Sequence, residues 1–319
     1  MLSPWMQASD RIDPDTAMKH HLALLLALTM TVLAPLQAGA QASAAPAAPT
    51  RPAKPAAAAT GALAGLGTQL PKGLDRAALI ALFKLPPAHA NLVTLVGAKP
   101  WPHRPDSYVA ILCLMQNGPR QPGLQECRPS IPDQVAPGIY VGVVELKPGG
   151  TPRLVASSGL VERMTSWSDT TLPDTPAAAR KDSHLRAQPQ TWERFDLAPY
   201  RLRPQSAAFG VRAGWSEHDS NGSGEFEALY LFDLDGDSLR LVLAEPMMAR
   251  TFTMGEFKSD GPRDMEEVQD SNILVISKYA SEGYYNLQIK SKASGQARHF
   301  IWSEQHREYR SPMSQAQSR

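Results

Sequence analysis

The sequence predicts a mainly β protein, built either as an antiparallel β-sandwich or as an irregular propeller-like array of three-stranded units, with one short N-terminal helix. Two observations lead to this prediction. Apolar runs of strand length recur along the chain, and tight-turn residues join several of them into hairpins. Hydrophobic residues make up 43% of the 319 residues and charged residues 20%, so there is enough apolar material for a folded core.

The N-terminus carries the pattern of an export signal. Lys19 precedes an apolar run of 13 residues, Leu22–Ala34, and a small-x-small site follows at Ala38–Ala40. A helix that spans a membrane needs about 20 apolar residues, so this shorter run favours a cleaved secretory signal over an uncleaved anchor. We expect cleavage after Ala40 or Ala42.

Composition divides the chain into four segments. We interpret residues 1–17, which are polar and partly acidic, as a non-native leader ahead of Met18, and residues 18–42 as the signal peptide. Residues 43–70 form a tether rich in Ala and Pro, and residues 71–319 form a single β-rich domain. The mature protein is therefore expected to be periplasmic or secreted, with no integral membrane segment after signal removal.

The helix is predicted just inside the folded region. Asp75 can cap a short helix that carries Ala78, Leu79, Leu82 and Phe83 on one side, and Pro86-Pro87 ends it.

Two hairpins follow the same plan. In the first, Ile139–Leu146 leads through Lys147–Gly150 into Arg153–Ala156. In the second, Ala228–Leu234 leads through Asp235-Gly236-Asp237 into Leu239–Ala244. The apolar run Tyr108–Leu114, which precedes the first hairpin, is suited to a strand that is buried on both faces.

A third unit follows, in which Tyr285, Leu287 and Ile289 alternate with polar residues. The three units, at about 107–158, 207–245 and 271–303, are either true repeats or hairpins that are similar by chance. Two segments, Thr165–Gln190 and Thr251–Gln269, are predicted as long loops.

Cys113 and Cys127 predict a structural disulfide. They lack C-x-x-C spacing, which a redox or metal pair would favour, and an exported protein meets oxidising conditions.

The segment 219–226 contains a candidate calcium site. Asp219, Asn221 and Ser223 hold the first, third and fifth positions of an EF-hand-type loop, and Gly224 holds the sixth. Glu225 would supply a further carboxylate, because Tyr230 stands where the bidentate Glu belongs. The alternative is a polar turn between two strands. Calcium is the one cofactor that the sequence suggests.

Asp233-Leu234-Asp235-Gly236-Asp237 also has the acidic pattern of a calcium loop, but Asp-Gly at a hairpin tip favours a turn. Signature motifs of catalysis are absent from the sequence, including G-x-S-x-G, H-E-x-x-H and Gly-rich phosphate loops, so the catalytic residues are unknown. Several aromatic residues lie in or beside the strands, where they serve either the core or recognition: Trp192, Tyr200, Trp215, Tyr230, Tyr284, Tyr285, Trp302 and Tyr309.

The net charge argues against a nucleic-acid-binding function. Lys and Arg number 32 against 31 Asp and Glu, so the chain lacks the basic field that nucleic-acid binding needs. The sequence favours a non-catalytic binding or interaction protein, such as an envelope factor or an inhibitor, with a protein or glycan partner in the cell envelope. The alternative is a secreted hydrolase of envelope or extracellular polymer, with Asp233 and Asp237 as its acid–base pair.

Overall fold

The computed structural model describes residues 65–115, 127–129, 135–256, 261 and 263–312. Within them the protein is mainly β with antiparallel sheets, which confirms the predicted fold class. The helices are α1 (Arg76–Phe83), α2 (Pro87–Ala90) and α3 (Ala177–Arg180). The strands are β1 (Val93–Pro100), β2 (Ser107–Leu114), β3 (Gly138–Glu145), β4 (Arg153–Val161), β5 (Thr165–Ser166), β6 (Arg186–Ala187), β7 (Thr191–Tyr200), β8 (Ala207–Asp219), β9 (Gly222–Asp235), β10 (Ser238–Met254), β11 (Met265–Ser281), β12 (Tyr284–Ser291), β13 (Ala297–Ser303) and β14 (Glu308–Arg310).

Helix α1 is the helix that the sequence predicts. The Asp75 side chain accepts a hydrogen bond from the Ala78 N–H, and the chain leaves the helix through Lys84 in the left-handed region. Leu79 and Phe83 are its buried residues. The single-turn helices α2 and α3 are additional, and Pro87 is the first residue of α2 rather than only a stop signal.

The strands form two large sheets and a small one. The first sheet has the order β1-β2-β3-β4, and the second runs β14-β13-β12-β11-β10-β9-β8-β7. Both are meanders in which each strand pairs with its neighbour in sequence. The third sheet pairs β5 with β6, and β4 packs against β10 between the two large sheets.

Strand β2 is buried on both faces, as its continuous apolar sequence predicts. Val109, Ile111 and Cys113 point into a core that the two large sheets share. The alternate residues Ala110 and Leu112 point to the other face, where α1 covers the sheet.

Strand β9 repeats this arrangement in the second sheet. Tyr230 and Phe232 enter the shared core, whereas Leu229 and Leu231 belong to a further core that β12, β13 and β14 close. A strand covered on both faces needs an apolar residue at nearly every position, which explains the run Ala228–Leu234.

Both predicted hairpins are confirmed. Glu145 pairs with Arg153 across the first turn, and Asp235 pairs with Ser238 across the second. Each of the three predicted units is a three-stranded antiparallel meander, formed by β2–β4, β8–β10 and β11–β13.

The two long segments predicted as loops contain regular structure, so those predictions were wrong. Between Thr165 and Gln190 lie β5, α3 and β6, and Trp167 in this segment is almost fully buried. Between Thr251 and Gln269, β10 and β11 continue as a paired ribbon, with Met254 opposite Met265. Charged residues suggested a loop there, but much of this ribbon is solvent-exposed, so strand positions tolerate them.

The segment Gly65–Gly67 lies between the edge strands of the two sheets. The Ala98 N–H on β1 donates to the Gly67 carbonyl at 2.9 Å, and Leu66 is buried in the shared core. A Cβ at Gly97 would lie 2.0 Å from the Leu66 carbonyl oxygen, and one at Gly65 would lie 2.6 Å from the Glu193 carbonyl oxygen on β7. Glycine therefore permits this close fit.

The predicted leader and signal peptide, and most of the tether, lie outside the described residues. Among the helices that the structure describes, none is both long enough and apolar enough to cross a membrane.

Candidate functional site

The candidate site is built around the connector that leaves β4 and enters β5. Thr165 in this connector donates a hydrogen bond to the Tyr230 hydroxyl on β9 at 2.9 Å, and that hydroxyl donates to the Arg163 carbonyl at 3.0 Å. Complete burial raises the pKa of Tyr230, so the phenol stays protonated and keeps its donor role. The connector is thereby fixed to β9 of the larger sheet.

An ion pair fixes the same connector to the last strand. The Arg163 guanidinium lies 2.8 Å from a carboxylate oxygen of Glu308 on β14, and Arg310 lies 3.3 Å from the other oxygen. Both partners of the Arg163–Glu308 pair are about three-quarters buried, so solvent screens it less than a surface pair.

Strand β10 contributes a buried carboxylate, Glu245. Its Oε2 accepts a hydrogen bond from Arg298 on β13 at 2.9 Å, and the two side chains are only 9% and 12% exposed. Burial raises the pKa of Glu245, and the nearby positive charges of Arg298 and Arg163 oppose that shift. Pro246 follows, and the ladder between β9 and β10 shifts register between Pro246 and Met248, because proline cannot donate to it.

Arg163 and Glu245 both line an open cavity of about 390 Å³. We call it the polar cavity, and the residues that line it are Glu162, Arg163, Met164, Ser166, Arg186, Ala244 and Glu245. Its volume is in the range of small-molecule and side-chain binding sites.

A second cavity, of about 360 Å³, shares Glu162 with the first and is more apolar. Leu92, Leu114, Leu160 and Val161 contribute to its walls. His89 also lines it and forms a 2.8 Å hydrogen bond between its Nδ1 and the Tyr140 hydroxyl.

The polar cavity combines ion-paired arginines with one hydroxyl group. Its arginines are held in ion pairs, Arg163 with Glu308 and Arg186 with Asp182. Its one hydroxyl belongs to Ser166, and no histidine lines it to activate that hydroxyl. Both cysteines of the chain are in a disulfide, so no thiol is available as a nucleophile.

The predicted calcium residues lie on the β8–β9 hairpin. Asp219 pairs with Gly222 across a two-residue turn, and the Asp219 carboxylate accepts the Asn221 N–H at 2.7 Å. Ser223 is in strand β9 opposite His218, and Glu225 lies 3.7 Å from Arg250. The local structure is thus the strand-joining turn that the sequence left as the alternative.

Nowhere in the described ranges do three or more His, Cys, Asp or Glu side chains group in a way that could hold a metal ion. Calcium at Asp219 stays a prediction, which a melting curve with and without EDTA would test.

The structure places Asp233 and Asp237 in different surroundings. Asp233 is 3% exposed, its carboxylate accepts a hydrogen bond from the Tyr284 hydroxyl at 3.2 Å, and Arg203 lies 3.5 Å away. Asp237 is exposed at the hairpin tip beside Gly236, which has a φ of 62°. A buried, partnered Asp233 is not accessible to a polymer substrate.

The disulfide between Cys113 and Cys127 is confirmed, with the Cα atoms 5.6 Å apart. It joins the end of β2 to the segment 127–129, and the Cys127 carbonyl accepts the Trp192 N–H of β7 at 3.0 Å. The crosslink therefore ties one sheet to the edge of the other.

Most of the predicted aromatic residues are core residues. Tyr284 stacks on Trp302 with ring centroids 3.7 Å apart, and Tyr309 packs edge-on against both. Of the neighbours Tyr284 and Tyr285, only Tyr284 is buried.

No motif in the sequence pointed to the polar cavity. Glu245 gives a weak local signal, since it follows the apolar run Leu241–Ala244 and precedes a proline. Arg163 and Arg298 give none, because their roles depend on strands that are far apart in the chain.

Comparisons with known proteins returned no match, whether with protein-family models, with curated proteins or with solved structures.

Proposed function

We propose that the protein is an exported, β-rich binding or interaction protein of the cell envelope, which holds a protein or glycan partner without catalysing a reaction. The polar cavity is the observation that carries this proposal. Its walls come from the connector after β4, from β5 and β6 and from β10 of the larger sheet, and three of its four charged side chains are in ion pairs. Groups that are already fixed lose little conformational entropy on binding, which favours recognition.

Site-specific photo-crosslinking in cells tests this function. A photoreactive side chain at Glu162, which lines the polar cavity and is exposed, should give a discrete adduct in the envelope. Glu266 on β11 is also exposed and does not line the cavity, so the same group there is the matched control. Absence of an adduct at 162, or identical adducts at 162 and 266, would contradict the proposal.

Export is supported by the signal pattern at residues 18–42 and by the disulfide, which is typical of oxidising compartments. Fractionation followed by N-terminal sequencing is the test. We expect the protein outside the cytoplasm, beginning at Gln41 or Ser43, with both cysteines protected from alkylation. An intact signal segment in the cytosol, with free thiols, is the opposite outcome.

One observation favours the second candidate function, a secreted hydrolase. Glu162 and Glu245 line the same cavity, and burial raises the pKa of Glu245, as in a general acid. The hydrogen bond from Arg298 argues against this role, because it stabilises the ionised carboxylate.

Release of reducing ends from envelope polysaccharide, by the wild type and by Glu162→Gln and Glu245→Gln, separates the two functions. Activity that both substitutions abolish supports the enzyme, and no release by the wild type supports binding.

A further inference from the structure

We propose that Met254 and Met265, which face each other on the β10–β11 ribbon, form a paired site of reversible oxidation by peroxides. The argument uses the register of the two strands, the exposure of the two thioether groups and the chemistry of methionine sulfur. This inference goes beyond the partner-binding function proposed above and does not depend on it.

The two methionines are held opposite each other. Met254 pairs with Met265 in the antiparallel ladder between β10 and β11. Residues directly opposite in such a ladder have Cβ atoms about 5 Å apart and side chains on the same face of the sheet. The two thioether groups therefore share one small patch of surface.

Backbone hydrogen bonds fix the position of this patch. The Met254 N–H donates to the Asn221 carbonyl on the β8–β9 turn at 2.7 Å, and the Gly255 N–H donates to the Asp264 carbonyl at 2.9 Å. The pair is thus part of the hydrogen-bonded sheet, which orders its backbone.

Solvent reaches this pair more readily than any other methionine that the structure describes. Met254 is 46% exposed and Met265 is 67% exposed. The remaining methionines of the described residues are buried or half-buried: Met115, Met164, Met247 and Met248. Because an oxidant must contact the sulfur, we expect oxidation of the folded protein to begin at the pair.

The modification follows from thioether chemistry. A sulfur lone pair attacks one oxygen of the peroxide, the O–O bond breaks, and the proton on the transferred oxygen passes to the departing oxygen. The thioether is oxidised by two electrons to the sulfoxide, and the peroxide is reduced to water or an alcohol.

The reverse step needs a reductant from outside this chain. Two thiols become a disulfide while the sulfoxide oxygen leaves as water, which restores the thioether. Both cysteines of this chain are already in a disulfide, so a separate thiol-dependent reductase would supply the thiols.

The exposed position allows oxidation and repair without unfolding. A sulfoxide is polar, so it would disrupt the core if it formed at Met247, which is 2% exposed. At positions 254 and 265 solvent hydrates the new oxygens, so the fold is retained and a reductase can reach them. The apolar contact between the two side chains is weakened, so we expect the end of the ribbon to loosen.

Peptide mass spectrometry during treatment with hydrogen peroxide tests the proposal. In the folded protein we expect Met254 and Met265 each to gain one oxygen about tenfold faster than Met115 and Met247, whose sulfurs are covered. Unfolding in urea before treatment should remove this difference. Methionine sulfoxide reductases for both epimers, with a dithiol, should then return the folded protein to its original mass.

Hydrogen exchange shows whether the two residues act as a pair. Oxidation of the wild type should speed exchange of the amide at position 254, and reductase treatment should slow it again. In the double variant Met254→Leu/Met265→Leu, peroxide should leave this exchange unchanged. Met248→Leu removes a half-buried methionine from the same strand, so it is the matched control and should behave as the wild type.

The inference is overturned if the buried methionines oxidise as fast as the pair in the folded protein, if either half-buried methionine oxidises first, or if the reductases restore only unfolded chains. It is also overturned if oxidation leaves the exchange at position 254 unchanged in the wild type, or if peroxide speeds that exchange equally in the double variant. None of these results bears on crosslinking at position 162, so the binding function is tested separately.

Discussion

The buried carboxyl group of Asp233 makes the stability of the folded protein depend on pH. Burial raises the pKa of this carboxyl above its ordinary value of 3.8, although Arg203 and the Tyr284 hydroxyl act in the opposite direction. A carboxyl whose pKa is raised in the folded state stabilises the fold while it is protonated. That contribution is present at low pH and is lost as the pH rises through the window above 3.8.

Asp233→Asn mimics the protonated form, so we expect the wild type to lose stability relative to this variant as the pH rises above 3.8. Urea unfolding at several pH values measures the difference. Asp237→Asn, at the exposed tip of the same hairpin, is the control. Parallel curves for wild type and Asp233→Asn would show that this carboxyl does not set the dependence.

The disulfide between Cys113 and Cys127 leads to a second prediction about single residues. A loop of this length contributes about 3 kcal/mol in the chain-entropy account, so the double Cys→Ala variant should lose about that much stability. Guanidinium unfolding of the variant, compared with reduced wild type, provides the measurement. A loss well below 1 kcal/mol in both samples would mean that the local packing alone holds the segment 127–129.

The sequence predicted these two residues and missed Glu245. The two cysteines of an exported chain have few alternatives to a disulfide with each other, so this pairing could be predicted by elimination. Glu245 gains its character from Arg298, more than fifty residues away, and from burial between strands. No local sequence pattern encodes the contact with Arg298 or the burial.

Among the elements, helix α1 depends on a glycine in the strand beneath it. A Cβ at Gly142 of β3 would lie 2.6 Å from the Phe83 ring and 3.1 Å from the Ala156 carbonyl oxygen. We therefore expect Gly142→Ala to destabilise the protein by about 1–3 kcal/mol, as other overpacked sites do.

Adding Phe83→Leu should recover part of this loss, because the smaller side chain makes room for the new methyl group. Thermal unfolding of both single variants and the double variant gives the coupling between the two positions. Strict additivity would contradict the proposed clash.

The strands were predicted best where both of their faces are buried. Continuous apolar runs marked β2 and β9, and turn residues marked their hairpins. The ribbon of β10 and β11 was mistaken for a loop, since exposure on both faces lets charged residues replace the usual alternation.

On the scale of the whole molecule, β9 belongs to two cores. One face joins the core between the sheets and the other joins the core under β12–β14, so neither core is complete without this strand. We expect a single unfolding transition.

Trp215 lies in the first core and Trp302 in the second, so variants that keep only one of these as a fluorescent reporter should give coincident denaturation midpoints. Two separated midpoints would show that the cores unfold independently. The order of the sheets, and this sharing of a strand, could not be predicted, because both arise from contacts between distant parts of the chain.

The segment Gly65–Gly67 has a consequence for self-association. Unpaired sheet edges are templates for pairing with another chain, and this segment occupies the space between β1 and β7. A fragment that begins at Pro71, where the sequence alone places the start of the domain, would expose both edges. We expect this fragment to form oligomers, measured by light scattering, at concentrations where a fragment that begins at Lys54 stays monomeric. If both fragments have the mass of a monomer, the segment Gly65–Gly67 is not needed to prevent pairing at these edges. The last residues of the apparent tether are thus expected to keep neighbouring copies of the protein apart.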